Sequence, residues 1–294
     1  MKQKHWIWLA PVVLAAVVAG LLAFRPSVPP GVTLARIERE GVIRIGCAPE
    51  APYVFLDARG TFTGEEIEVA KIIASRMGIR RIEWCQTDFG SLIPELEAGR
   101  FDVIAAGMFI TAERARRVIF SEPTFRVRNA LLVRTGNPHG LHSHEDIIRQ
   151  SQVKIAVLHG SIEEAMIRKI GVPDDRISVV PDALTGRVAV ESGLVDCLAL
   201  SSPTVRFMAR QQNLGLSEIA QPFIVPVSND ARHVGFGANA FRKADDDLRV
   251  AWNRHLRAFL GSAEHRRLLA EFGFSDDELP GEITTSEILS SGAK

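Results

Sequence analysis

Cysteine is scarce in this sequence, and neither acidic nor basic residues are in excess. The three cysteines among 294 residues are too few for a disulfide framework, and their spacing does not fit a metal site. Lys plus Arg and Asp plus Glu both number 35, so the chain has no basic surplus for nucleic acid or an anionic membrane surface. These absences favour a small molecule or another protein as the partner.

The sequence also lacks familiar catalytic patterns. It contains no recognisable Ser-His-Asp set, Cys-His pair or phosphate-binding loop. His139, His142 and His144 lie close together, but their pattern favours a solvated loop over a metal site. We therefore expect neither a metal nor a cofactor, and we expect no enzymatic activity.

One long hydrophobic run stands at the N-terminus. Lys2 and Lys4 precede an apolar stretch from Trp6 to Phe24. This pattern is typical of an export signal, and its length also permits a membrane anchor, which needs roughly 20 apolar residues. We interpret residues 1–28 as a signal peptide or an N-terminal membrane anchor. The rest of the chain is then expected in the periplasm or on the extracellular face of the cytoplasmic membrane.

The remainder alternates between strand-like and helix-like segments, which predicts an α/β fold with two mostly parallel sheets flanked by helices. Thr63 and Ser161 each begin a capping-box pattern at the start of a predicted helix. The predicted strands are 42–46, 81–85 and 101–106 in the first half and 153–158, 176–180 and 195–200 in the second. We assign lobe 1 to residues 29–131 and 232–294 and lobe 2 to 132–231, with two hinge crossings near 130–136 and 226–233.

Cys47 and Cys85 end two predicted strands of lobe 1. A disulfide between neighbouring strands requires suitable backbone geometry, so the sequence leaves this pairing open.

The stretch from Ser91 to Arg114, SLIPELEAGRFDVIAAGMFITAER, resembles the signature of the family 3 extracellular solute-binding proteins, the polar amino-acid type. Further segments resemble the same family at 120–123, 131–134 and 195–197, so the resemblance runs from about residue 42 to 274. It implies a type II periplasmic-binding-protein (Venus flytrap) fold. It also implies a monomer that closes on a small ligand and delivers it to an ABC permease in the inner membrane.

Two departures from the family pattern narrow the range of ligands that we expect. The amino-acid-binding members of the family that this chain resembles carry a small residue with a hydroxyl group where this chain has Phe109. They also carry an Asp, which takes the ligand α-ammonium, where this chain has Ser201. An ordinary α-amino acid would therefore lose its main counter-charge.

The remaining segments resemble the subgroup that binds ectoine or hydroxyectoine. The resemblance includes Glu50 and Tyr53 after the first strand, the Phe89-Gly90 pair, the aromatic Phe109, and Arg114. It implies a site for a compact zwitterion that carries a carboxylate and a positive charge spread over an amidine.

Each of these residue types suits such a ligand. Arg114 can bind a carboxylate through two parallel hydrogen bonds. Tyr53, Phe89 and Phe109 can present ring faces to a diffuse cation. Glu50 can accept hydrogen bonds from ring N–H groups. We expect the ligand carboxylate to lie between Arg114 and the N-terminus of the helix that begins at Ser161 in lobe 2.

Other interpretations stay open at this point. The ligand can be a polar amino acid or another zwitterion. Alternatively, the chain can be a dehydratase-like enzyme on the same fold, with Glu50 as the acid or base. The apolar N-terminus also permits a membrane-tethered sensory domain.

Overall fold

A computed structural model covers residues 31–210, 215–224 and 234–291. No helix within these ranges is long and apolar enough to cross a lipid bilayer. The export segment that we assign to residues 1–28 lies outside the described residues, so that assignment stays a prediction.

The first lobe surrounds a sheet of five strands. Its elements are α1 (Val32–Glu40), β1 (Val42–Cys47), β2 (Phe55–Leu56), β3 (Phe62–Thr63), α2 (Glu65–Arg76), β4 (Arg81–Gln86), α3 (Leu92–Glu97), β5 (Val103–Ile104), α4 (Ala112–Ala115), β6 (Val118–Phe120), β13 (Ala240–Arg242), α9 (Asp246–Phe259), α10 (Ala263–Glu271) and α11 (Thr285–Ser291). The strand order is β4-β1-β5-β13-β6. Strands β1, β4 and β5 are parallel, whereas the returning strand β13 is antiparallel to both of its neighbours.

The second lobe repeats this arrangement. Its elements are β7 (Phe125–Arg134), α5 (His144–Arg149), β8 (Ile155–Leu158), α6 (Ile162–Lys169), β9 (Ile177–Val180), α7 (Ala183–Glu191), β10 (Cys197–Ser201), α8 (Ser202–Arg210), β11 (Ser217–Ile219) and β12 (Val234–Gly237). The order β11-β7-β10-β8-β9 contains three parallel strands, β10, β8 and β9. Each sheet is therefore parallel within its α/β repeat and antiparallel where a crossing strand joins it.

Strand β7 connects the two lobes. Its first residues, 125–128, pair antiparallel with β12, and residues 129–133 pair antiparallel with β10 of the second lobe. The strand starts earlier than the predicted crossing near 130–136, because the extended segment continues through Phe125 without a break. The lobe boundaries that we assign from the sequence stay a prediction.

Each lobe has its own apolar core. In the first lobe, Ile43 and Ile45 of β1 pack with Trp252 and Leu256 of α9. In the second, buried side chains of β7, β8 and β10 pack against α5 and α6. A third cluster runs through both lobes and includes Leu92 and Leu198. A fourth, which includes Tyr53, Phe109 and Phe125, fills the region beside the hinge strands. The binding cleft is therefore built on a packed aromatic base.

The capping box predicted at Thr63 is wrong. Helix α2 begins at Glu65, and Gly64 is its N-cap without a side-chain hydrogen bond. Gly64 has a φ of 123°, and a Cβ there would collide with the carbonyl oxygen of Tyr53. The chain needs glycine at this point because the loop that carries Tyr53 passes directly over the helix start.

All three cysteines are free thiols. The β1–β4 register places Gly46 opposite Cys85 and Cys47 opposite Gln86. Because successive side chains of a strand point to opposite faces, Cys47 and Cys85 lie on opposite sides of the sheet. The disulfide that the sequence left open does not form.

The three clustered histidines contact different groups. His139 Nε2 lies 3.0 Å from Asp196 Oδ1, and His142 Nδ1 lies 3.1 Å from the carbonyl oxygen of Pro222. The buried ring of His144 packs against Phe223. Within the described residues, no group of three or more His, Cys, Asp or Glu side chains could hold a metal ion.

Asp102 is a buried carboxylate that organises one end of the first sheet. It accepts hydrogen bonds from Arg36 at 2.6 Å and Arg44 at 2.8 Å, and Arg242 lies 3.4 Å away. Burial would raise the pKa of Asp102, but the hydrogen bonds from Arg44 outweigh it and hold the pKa below its usual value. This network joins α1, β1 and β13.

We expect the Asp102→Asn variant to lose about 3–5 kcal/mol of unfolding free energy, because three guanidinium groups lose their common counter-charge. Urea denaturation followed by circular dichroism measures this loss. The control is Glu264→Gln, which removes an ion pair with Arg76 at the surface and should cost less than about 1 kcal/mol. Similar losses in both variants would contradict the role assigned to Asp102.

Candidate functional site

The six residues selected from the sequence all line one cavity between the lobes. Glu50 and Tyr53 follow β1, Phe89 follows β4, and Phe109 follows β5. Arg114 belongs to α4, and Ser161 is the N-cap of α6 on the opposite lobe. Ligands of α/β folds bind beyond the carboxyl ends of the strands, and four of the six residues occupy such positions.

Tyr53 is a buried residue, so its ring is not freely exposed as in an open aromatic cage. Its side chain is 1% exposed, and its ring lies 4.9 Å from Phe125 and 5.6 Å from Phe274, centroid to centroid. A Cβ on Gly107 would lie 2.9 Å from the same ring, so glycine is required there. The Tyr53 hydroxyl donates a 3.0 Å hydrogen bond to Ser201 Oγ in the second lobe. Tyr53 therefore links the hinge core to the far wall.

Ser201 belongs to a hydrogen-bonded chain across the cleft. Ser201 Oγ and Thr204 Oγ1 lie 3.0 Å apart, and Thr204 donates a 2.8 Å hydrogen bond to Glu50 Oε1. The chain runs from Tyr53 through Ser201 and Thr204 to Glu50. Thr204 was missed in the sequence because it lies on a helix with no motif of its own. The hydroxyl of Ser201 thus forms part of a polar link between the lobes.

Glu50 is a buried carboxyl group with an altered proton affinity. Burial raises the pKa of Glu50 to about 7, a hydrogen bond from Thr204 opposes the rise, and the charge of Glu163 adds to it. Near neutral pH the group is therefore partly protonated. When it is ionised, the Glu50 carboxylate can accept hydrogen bonds from a cationic ligand or form an ion pair with it.

Arg114 spans the mouth of the cavity. Thr111 caps its helix, and the guanidinium donates hydrogen bonds to Phe109 O at 2.8 Å and to Gly160 O of the second lobe at 2.9 Å. Its central carbon lies 5.5 Å from the centroid of the Phe89 ring. Burial lowers the pKa of Arg114 to about 10, so the group remains charged at neutral pH.

The three aromatic residues share the cavity without forming an open cage. One face of Phe89 is covered by Arg114. Phe109 is 6% exposed, lies 6.2 Å from Phe125 and leaves no space for a side chain at Gly235. The cation-binding role that we assign to these rings stays a prediction.

Ser161 caps α6 as predicted, but the anion site there already contains a protein carboxylate. Ser161 Oγ accepts from Glu164 N at 3.1 Å, and the Ser161 N–H donates to Leu158 O. The Glu164 side chain accepts from Gly160 N instead of completing the capping box. Glu163 lines the cavity and is 4% exposed.

Glu163 was missed because the sequence showed only an acidic residue in a first helical turn. Burial raises the pKa of the Glu163 carboxyl above its usual value. The hydrogen bond that this carboxyl accepts from its own backbone N–H and the positive charge of Arg114 both oppose the rise without cancelling it. The positive charge of Arg114 is therefore partly balanced from within the protein. Glu163 therefore occupies the same cavity as Arg114 and would compete with any carboxylate that entered it.

Helix α8 makes further contacts between the lobes. Arg206 Nη2 donates to both carboxylate oxygens of Glu278 at 2.8 Å, and Glu278 lies in the C-terminal part of the chain. The rings of Phe207 and Phe55 lie 5.4 Å apart across the cleft. This helix therefore carries polar and aromatic contacts that hold the second lobe against the first.

Two glycines lie where the backbones of the two lobes come into contact. A Cβ on Gly160 would lie 2.9 Å from the Cα of Gly90, and a Cβ on Gly90 would collide with the His159 ring. His159 thus contacts the opposite lobe, although it does not line the cavity. The cavity between the lobes has a volume of only about 20 Å³, which is room for about one water molecule. The walls must separate to admit a ring compound.

The sequence matches the family model of bacterial extracellular solute-binding proteins, family 3, over residues 43–275. The chain belongs to this family. Its cleft and hinge strands are those of a two-lobed periplasmic binding protein, and the family's members are periplasmic or extracellular components of ABC importers.

Similar proteins agree with this assignment. The chain is 35% identical to a probable amino-acid ABC transporter periplasmic-binding protein of Sinorhizobium fredii, over 94% of this chain and 93% of the relative. A crystal structure of EhuB in complex with hydroxyectoine superposes with a TM-score of 0.80 at 30% identity, covering 88% of this chain and 98% of that one.

An ancestral amino acid-binding protein, AncCDT-1, described as a precursor of cyclohexadienyl dehydratase, superposes with a TM-score of 0.72. It is 27% identical and covers 82% of this chain and 99% of its own. The family fold therefore supports solute binding, and a dehydratase lineage arises within it.

The single tyrosine of the chain provides a direct test of the site geometry. Burial, together with the charge of Glu50, raises the pKa of Tyr53 well above its usual value. In the native protein we expect no tyrosinate absorbance at pH 10, where a free tyrosine is about half ionised. The same chain in guanidinium is the control and should titrate normally. Half-ionisation near pH 10 with a native circular dichroism spectrum would contradict the burial described here.

Proposed function

We propose that this protein captures ectoine, hydroxyectoine or a similar small zwitterion and delivers it to an ABC permease in the inner membrane. It acts as a monomer, exported by its N-terminal segment, with the lobe boundaries assigned from the sequence. The observation that carries the proposal is the pair of contacts made by Arg114, which faces a ligand cavity and binds Gly160 of the opposite lobe. Carboxylate binding and lobe closure then depend on the same side chain.

The charges of the cavity favour a zwitterion over an anion. Glu50 and Glu163 are buried beside Arg114, so the site offers two carboxyl groups and one guanidinium. Ser201 supplies no charge, and its hydroxyl is engaged by Tyr53. A compact α-ammonium therefore meets a neutral wall at this point, whereas a delocalised amidinium can face Glu50 and the aromatic rings. The similarity to the hydroxyectoine complex of EhuB supports the same ligand class.

Calorimetric titration with ectoine, hydroxyectoine and a panel of amino acids tests the proposal. Arg114→Ala should weaken ectoine binding by roughly 10- to 150-fold, because a hydrogen-bonded ion pair is lost. Arg114→Lys should recover only part of the affinity, since Lys cannot bind a carboxylate through two parallel bonds. Glu163→Gln should strengthen binding, because the competing carboxylate is removed.

The matched control is Arg116→Ala, which removes an exposed arginine at the end of the same helix. It should leave the affinity unchanged. No ectoine binding, but a clear response to a standard amino acid, would keep the receptor role and overturn the ligand assignment.

Ligand affinity should depend on pH through Glu50. The free protein has a Glu50 pKa of about 7, and a bound cation favours the ionised form. Binding is therefore expected to be constant above pH 8 and to weaken about tenfold between pH 8 and pH 6. Calorimetry across this range should show a flat profile in Glu50→Gln. A profile that is equally steep in that variant would assign the dependence to another group.

The Glu50 carboxyl group also favours a second candidate function, that of an enzyme. A buried carboxyl with a pKa of about 7 has the proton affinity of a general acid or base, as a dehydratase requires. Structural similarity to the precursor of cyclohexadienyl dehydratase supports testing it. If the protein turns over a cyclohexadienyl substrate and the Glu50→Gln variant does not, the protein is an enzyme and not only a binding protein.

A further inference from the structure

The C-terminal part of the chain bridges the two lobes. We call residues 273–285, which follow α10 and lead into α11, the C-terminal strap. Arg206 of α8 in the second lobe donates hydrogen bonds to both carboxylate oxygens of Glu278 in the strap at 2.8 Å. At the end of the strap, the backbone N–H of Thr285 donates to Glu122 Oε2 in the first lobe at 3.0 Å. The strap is therefore attached to both lobes.

The strap also packs on the hinge. Arg126 of the hinge strand β7 donates a 2.9 Å hydrogen bond from Nε to the carbonyl oxygen of Asp277. The ring of Phe274 lies 5.6 Å from Tyr53 and 5.8 Å from Phe125, centroid to centroid. Because these contacts hold the strap against the hinge strand and against Tyr53 of the first lobe, we expect it to stay with the first lobe when the second lobe moves.

The strap holds the Glu278 carboxylate in position. The backbone N–H and the hydroxyl of Ser275 donate to Glu278 Oε2 at 2.8 and 3.2 Å, and together they form a capping box. The Glu278 side chain is 9% exposed, and the Arg206 side chain is 29% exposed. A carboxylate that its own segment already holds loses less side-chain entropy on pairing than a mobile one at an open surface. The geometry therefore favours a net gain from this ion pair.

Helix α8 carries this ion pair together with the contacts that cross the cleft. Thr204 and Phe207 of the same helix contact Glu50 and Phe55 of the first lobe. The helix begins directly after β10 of the second sheet, so it moves with that lobe. A rotation that opens the cleft then separates all of these contacts together. Arg206 does not line the ligand cavity, so its share of the closing energy involves no ligand atom.

We infer that the ion pair between Arg206 and Glu278 is a latch that stabilises the closed lobes before a ligand is bound. Both are positioning residues, because they act through the placement of α8. An interaction that favours the closed state in the same way for every ligand changes all affinities by one factor and leaves selectivity unchanged. The inference goes beyond the proposed function and does not depend on which ligand binds.

Interlobe distances in the ligand-free protein test the latch. Spin labels at Ala58→Cys, in the exposed turn between β2 and β3, and at Val188→Cys, an exposed site on α7, report the separation of the lobes by double electron–electron resonance. The background carries Cys85→Ser, because the Cys85 thiol is partly exposed whereas Cys47 and Cys197 are buried. We expect the short, closed distance to predominate in this labelled protein.

Arg206→Met and Glu278→Gln should each increase the share of the longer, open distance. In Glu278→Gln the side-chain amide oxygen can still accept from Ser275, so the turn is kept and the ion pair is lost. The double variant should give the same distribution as the single variants, because all three lack the same contact. Arg206→Lys should be intermediate, since Lys lacks the planar fork that binds both carboxylate oxygens. Circular dichroism checks that each variant is folded.

Calorimetry gives the second readout. Arg206→Met and Glu278→Gln should both weaken the binding of ectoine and of hydroxyectoine by one common factor of about five, the upper range for a partly exposed ion pair, with the ratio of the two affinities unchanged. Arg210→Met is the matched control, because it alters an exposed arginine at the end of the same helix. It should change neither the distances nor the affinities.

A distance distribution shared by the parent and by both single variants would overturn the latch, whether that distance is short or long. A changed ratio of ectoine to hydroxyectoine affinity would overturn it as well. If neither compound binds to the parent protein, the proposed function fails, and the ligand-free distances still decide whether the latch exists.

Discussion

The antiparallel pairing of β7 is the constraint on which the site depends. One strand of ten residues pairs with β12 at its start and with β10 further on, so the same backbone belongs to both lobes. Phe125 at its start supports the rings of Tyr53 and Phe109. Asn129 on the same strand pairs with Ser201, whose hydroxyl accepts from Tyr53. Both walls of the cleft are therefore positioned from a single strand.

The balance of charge in the cleft sets what it can select. A lone buried guanidinium would attract any small anion, whereas Glu163 reduces that attraction and Glu50 adds a proton-dependent negative charge. Burying each of these charged groups away from water costs free energy unless a charge or hydrogen bond of the ligand compensates that cost. We therefore expect selection to depend on how a ligand distributes its positive and negative charges.

Patterns along the sequence predicted the α/β order and gathered six residues that do line one cavity. They succeeded because strand ends of a parallel sheet converge, so residues far apart in the chain can be placed together from local signals. Glu163, Thr204 and Arg206 were not found, since each lies on a helix whose orientation toward the other lobe only the packing determines. Cys47 and Cys85 show the same limit, because one residue of register separates a pair on one face from a pair on opposite faces.

The backbones of the two lobes come into contact at Gly90 and Gly160, because a Cβ on Gly160 would lie 2.9 Å from the Cα of Gly90. A methyl group at Gly160 would press against the backbone of Gly90, whereas one at Gly90 would meet the exposed ring of His159, which can move aside. Gly160 also has a φ of 74°, which other residues adopt only with strain. The missing side chain at Gly160 is therefore what allows the backbones of the two lobes to come this close.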